Sequence, residues 1–124
     1  MLCSQLDMTA FVYDYDYNAP TIAHLEETHQ RMFQIIRKAN PELPILLLSR
    51  PKYYLTQEEE QRLAIIRKTF QNAQASGDRN VYLLDGRTLM EMAGGEGTVD
   101  DTHPNDLGFA SMAEAVGAVF EKIL

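Results

Sequence analysis

FVYDYDYNAP, residues 11–20, admits two readings that lead to different folds. Asp14, Asp16 and Asn18 place oxygen-bearing side chains at the first, third and fifth positions of what could be a calcium loop. Such a loop also needs a glycine at its sixth position and a bidentate glutamate at its twelfth. Counting from Asp14, those positions hold Ala19 and Leu25, and Pro20 interrupts the run. The other reading is an apolar strand ending in polar residues, which is where functional loops gather in α/β proteins. The two failed calcium positions favour the strand.

Two more runs of the same kind follow. AFVYDY at 10–15, PILLLS at 44–49 and NVYLLDG at 80–86 are each mostly continuous rather than alternating. That is the pattern of parallel strands buried on both faces. Between the first two, Ile22, Leu25, Met32, Phe33 and Ile36 recur at helical spacing, and the segment stops at Asn40-Pro41. Between the second and third, Thr56 and Glu59 form a capping box ahead of a stripe of Leu63, Ile66 and Phe70. A last helix is expected over about 106–123, burying Phe109, Met112, Val116, Val119 and Ile123. The order strand, helix, strand, helix, strand, loop, helix predicts an α/β, flavodoxin-like three-layer sandwich with a parallel sheet. All 124 residues are read as a single domain, with no internal repeat or linker. AGGEGTVDD, 93–101, is the stretch that composition marks as flexible. Asn18, Ser49-Arg50 and the 94–103 loop all follow strand ends, so they should share one face of the molecule.

Composition narrows the function. Eleven Lys and Arg against eighteen Asp and Glu give a formal charge of −7, which argues against a nucleic-acid or anionic-membrane surface. No run approaches the length of a membrane span. The single cysteine, Cys3, excludes an intrachain disulfide and reads as a small buried hydrophobe. The start, MLCSQLDMTAF, lacks the basic residues and long apolar stretch of a signal peptide, and nothing names a compartment.

The densest chemistry lies in TVDDTHPNDLGFASMAEAV, 98–116. Asp100 precedes His103 by three residues, and Asn105 is a good N-cap for the last helix. A carboxylate so placed can accept the imidazole Nδ1–H, fixing the tautomer and leaving Nε2 free as a base. A bare D-x-x-H reads equally well as a capped, solvated loop. The glycines before it, the His-Pro-Asn turn after it and the α/β setting favour chemistry.

V-D-D-T-H-P-N-D-L-G-F followed by an amphipathic helix resembles the last block of the SGNH hydrolases, the GDSL-like lipase/acylhydrolase superfamily. In that block the Asp and His of a D-x-x-H motif complete a Ser-His-Asp triad, so the resemblance implies these roles for Asp100 and His103. D-Y-D-Y-N-A-P, 14–20, is similar to the block that supplies an oxyanion-hole Asn, which implies that role for Asn18. The family's commoner form there is G-x-N-D; here Asp16 replaces the Gly and Ala19 the Asp, a departure seen in a branch resembling carbohydrate esterases. Asp14 and Asp16 are then expected to position the turn.

The resemblance implies an acyl-ester substrate and no cofactor or metal. It also implies that the family's G-D-S-like nucleophile block and its Gly donor are absent, as though the chain were the rear part of the domain. Ser4, Ser76 and Ser111 fall in helices or turns, and Ser49 ends a strand without a glycine-flanked turn to present it. In the family's strand order the absent strands lie beside the first strand here. A homo-oligomer formed across the edge at 10–14 is therefore expected.

Two rivals remain at this level. One is a non-catalytic fragment or interaction module that keeps the rear half of the fold. The other is a phosphate-binding flavodoxin-like domain, but GGEG at 94–97 lies too far from Leu84 and is too acidic. His24 and His29, five apart, do not make the i, i+4 pair of a helical metal site. Tyr53 and Tyr54 are read as packing over the sheet, Glu58 to Glu60 as a helix first turn, and Met90 and Met92 as core.

Overall fold

A computed structural model describes residues 5–124; Cys3 and Ser4 lie outside the described residues. The strands β1 (Phe11–Asp14), β2 (Ile45–Leu48) and β3 (Val81–Leu84) form one parallel sheet in that order. Phe11 pairs with Ile45, and Ile45 with Val81. Both crossovers step the same way across the sheet. A shared hand then puts α1 (Ile22–Ala39) and α2 (Gln57–Ala75) on one face. After the short α3 (Gly86–Leu89), α4 (Asp106–Ile123) covers the other face.

Strand parity separates two cores. Odd-numbered Tyr13, Ile45, Leu47 and Val81 join Leu25, Phe33, Ile36 and Ile66 beneath α1 and α2. Even-numbered Leu46 and Leu48, with Leu89, meet Met112, Ala115, Val116, Val119 and Phe120 under α4. β2 is buried along its whole length, as the central strand of a layered sandwich must be.

The helix ends follow the sequence signals. Thr56 accepts the Glu59 N–H at 3.2 Å while the Glu59 carboxylate accepts the Thr56 N–H at 2.9 Å, the reciprocal capping box that starts α2. The Asn105 side chain accepts the Gly108 N–H at 2.8 Å and starts α4. Gly86 is required by close approach, because a Cβ there would meet the Arg50 carbonyl.

Three expectations about packing fail, the first for Tyr54, which is exposed against Tyr53 instead of packing over the sheet. Phe109 is 58% exposed, because the stripe of α4 that meets the sheet runs through Gly108, Ser111 and Met112, and Phe109 is turned off its flank. Met90 is fully buried, but Met92 is exposed. The glycine-rich stretch is not loose in structure. It forms a 3-10 turn at Gly94–Glu96 and is tied to α4 by the Asn105 N–H on the Gly97 carbonyl at 2.9 Å. No helix among the described residues is long and apolar enough to cross a membrane.

Candidate active site

The loop after α3 folds on itself. Thr98 bridges Pro104, and the Val99 N–H donates to the His103 carbonyl at 2.9 Å. At the tip, Asp101 takes a left-handed φ of 65°. Asp100 Oδ1 accepts the backbone N–H groups of Thr102 at 3.1 Å and His103 at 2.8 Å, and Oδ2 meets His103 Nδ1 at 2.7 Å. The carboxylate thus shapes its own loop and orients the imidazole. The His103 backbone N–H and then its ring, with Thr102, hold the Asp100 carboxyl down to about 2. Asp100, ionised at neutral pH, is acceptor-only, so Nδ1 carries the hydrogen of this bond, and in the neutral ring the lone pair is then on Nε2. The His103 side chain is 75% exposed, leaving Nε2 accessible. Asp101, one residue nearer in the chain, makes no hydrogen bond or ion pair with His103.

Asn18 lies where the sequence places it, in a 3-10 turn (Asp16–Asn18) directly after β1. Its backbone N–H donates to the Tyr15 carbonyl at 2.9 Å, and its exposed side chain has no hydrogen-bond partner among the described residues. Beneath it, Asp16 is completely buried and faces two arginines. Its Oδ2 accepts the Arg50 N–H at 3.0 Å, and its Oδ1 accepts from the Arg50 and Arg62 guanidinium groups, both at 3.2 Å. Arg50 continues to Glu59 at 3.2 Å, and Lys52 meets Glu59 at 2.9 Å. Burial pushes the Glu59 carboxyl up, but the Thr56 N–H and the Lys52 ammonium bring it down to about 2.

Tyr17, in the same turn as Asn18, packs on this network. Its ring covers the Arg50 guanidinium at 4.3 Å. Burial pushes its phenol up, Arg50 opposes that, and the negative charges of Glu59, Asp16 and Asp100 add to it.

Sequence reasoning missed this ion network. A signal existed: Glu59 and Arg62 share a face of α2 with Leu63 and Ile66, and charges on an apolar stripe need partners. Ser49 is buried, and its Oγ accepts the Gly86 N–H at 2.7 Å, so it is a structural hydroxyl. A polar cleft of about 640 Å³ opens at the opposite end of the strands, lined by Gln30, Arg37, Asn72 and Asn80. Its Arg37 is already engaged by Asp78 at 2.8 Å.

The pattern of the GDSL-like lipase/acylhydrolase family matches residues 1–121. The chain belongs to this family. GDSL-like proteins are also what its fold resembles. A candidate GDSL-like lipase from Bacteroides ovatus superposes with a TM-score of 0.79 at 24% identity, over 98% of this chain and 37% of that one. The salicylyl-acyltransferase SsfX3 of a tetracycline biosynthetic pathway gives 0.76 at 21%, over 98% and 40%. A family two carbohydrate esterase from Clostridium thermocellum, in complex with cellohexaose, gives 0.73 at 18%, over 96% and 37%. At these identities the likeness is one of fold, and this GDSL-like chain spans about two fifths of those structures. No curated protein matches it. The family and the α/β sandwich read from the sequence stand.

Proposed function

We propose that this chain supplies the base, its orienting carboxylate and an oxyanion donor for the hydrolysis of an acyl ester. The nucleophilic serine would come from outside residues 1–124. The observation that carries the reading is the 2.7 Å bond between Asp100 Oδ2 and His103 Nδ1 at the carboxyl end of a parallel sheet. His103 Nε2 would take the proton of the serine as it attacks the ester carbonyl, then return it to the departing alcohol. Asp100 would hold the ring and stabilise the imidazolium without taking the proton. The Asn18 amide would donate to the oxyanion of the tetrahedral intermediate. The substrate is a small acyl ester, an acetylated sugar being one member of that class.

The chemistry is tested by a chimaera in which this chain replaces the matching region of the Clostridium thermocellum esterase and the rest of that protein is kept. Ester hydrolysis that is lost in His103→Ala and sharply reduced in Asn18→Ala is expected. A folded chimaera whose activity ignores both substitutions would sink the assignment. The rival reading, a non-catalytic module, is favoured by one observation. Among the described residues no serine is presented at the sheet end, since Ser49 is buried, with its Oγ accepting the Gly86 N–H.

A further inference from the structure

Arg62 reaches from α2 to the turn that bears Asn18 and grips it on both sides. Nη1 donates to the Asp16 carbonyl at 2.8 Å and Nη2 to the Ala19 carbonyl at 3.0 Å, and these two carbonyls bracket Asn18 in the chain. Nη1 also meets Asp16 Oδ1 at 3.2 Å, so the carboxylate holds the guanidinium that holds the turn. Arg50, through its own N–H and its guanidinium, fixes the same carboxylate from the end of β2. Asp16 is fully buried and Arg62 only 4% exposed.

We propose that Arg62, set by Asp16, is a positioning residue that aims the Asn18 amide. The assignment rests on the oxyanion role proposed for Asn18. Three features support it. A buried ion pair adds little net stability over apolar residues of the same size, so holding a geometry is the better account of its presence. A planar fork reaches two carbonyls from two nitrogens at a fixed spacing; a lysine ammonium, a single point with rotatable donors, holds no such spacing. Finally, the Asn18 and Ala19 backbone N–H groups both point to the Tyr15 carbonyl, at 2.9 and 3.3 Å. The turn is therefore closed from within and clamped from outside, while the Asn18 side chain stays free. A donor preorganised in this way costs no rearrangement as charge develops on the substrate.

The test uses the full chain, labelled with nitrogen-15, as wild type, Arg62→Met and Arg62→Lys. Hydrogen exchange at the Asn18 and Ala19 amides reports the clamp and should quicken about ten-fold or more in both variants, while amides 45–48 keep their protection. Titration with sodium acetate, a carboxylate able to accept from an oxyanion donor, reports the aim. The wild-type Asn18 side-chain amide and the His103 ring should both shift. In Arg62→Lys the Asn18 response should be lost and the His103 response kept, a split that a merely structural arginine would not produce. Should Arg62→Met fail to fold, Arg62→Lys, which keeps a cation beside Asp16, makes the same comparison. Unchanged exchange and an unchanged Asn18 response in folded variants would overturn the clamp and leave the proposed chemistry standing. A wild-type Asn18 amide that ignores acetate while His103 responds would overturn the oxyanion role, and with it the role given to Arg62.

Discussion

The ring of Tyr13 lies flat on that of His29, with centroids 4.5 Å apart and planes within 9°. The Tyr13 hydroxyl donates to the His29 carbonyl at 3.1 Å, and His29 Nδ1 meets Thr69 Oγ1 at 2.8 Å. His29 Nε2 is buried without a partner among the described residues. This histidine belongs to the core joining β1, α1 and α2, remote in role from the exposed His103. Burial pushes its imidazole down to about 4, with Asp16 opposing.

Stability should therefore fall in mild acid. The unfolded chain takes up this proton near pH 6.5 and the folded chain only near 4, so between them the unfolded state binds more protons. The contribution is complete above about pH 6.5 and is lost as the pH falls toward 4, by up to about 3 kcal/mol. Urea unfolding across this window should show the decline, and His29→Asn, which can still bond Thr69, should flatten it. An equal decline in both proteins would contradict the assignment. Below that window Glu59 and Asp100, both held down to about 2, should give a second loss from about pH 4.5 downward.

Ser49→Ala should destabilise the fold without touching chemistry. It leaves the buried Gly86 N–H without its acceptor, at a cost of about 1–3 kcal/mol. The isolated chain should show no appreciable turnover of p-nitrophenyl acetate, before or after the substitution. Hydrolysis that disappears in Ser49→Ala would promote Ser49 to nucleophile.

The β1 edge should associate. Phe11 N–H bonds the Pro44 carbonyl, so by parity the backbone groups of Val12 and Asp14 face away from β2. Val12 is 40% exposed and no lysine or proline blunts the strand. Sedimentation equilibrium at micromolar concentration should give a dimer or larger species, weakened by Val12→Lys. A monomer with the amides of Val12 and Asp14 protected from exchange would show that the edge is covered from within the chain.

Much of this was legible in the sequence for a physical reason. Short continuous apolar runs such as ILLL, alternating with helical segments, read as strands buried on both faces, and a Thr-x-x-Glu box or an Asn before a helix fixes a boundary through local bonds alone. The Asp100–His103 pair was legible for the same reason, since three residues in a tight loop suffice to build it. Arg50, Arg62 and Glu59 were not. Asp16, which binds both arginines, lies 34 and 46 residues from them, and Glu59 joins only through Arg50 and Lys52; such contacts come from packing α2 and the β2 tip around the turn. Phe109 misled because an apolar residue one step off the helical stripe scores as core, although its direction is set by Gly108 seating against the Gly97 carbonyl.

The central claim is that Asp100 sets the imidazole of His103 so that Nε2 can act as a base. Long-range nitrogen-15 correlation spectra above neutral pH read the tautomer directly, with the exposed His24 as internal reference. The account predicts that His103 carries its proton on Nδ1 and a bare Nε2, and that Asp100→Ala returns it to the pattern of His24. A wild-type His103 protonated on Nε2, and unchanged in Asp100→Ala, would contradict it.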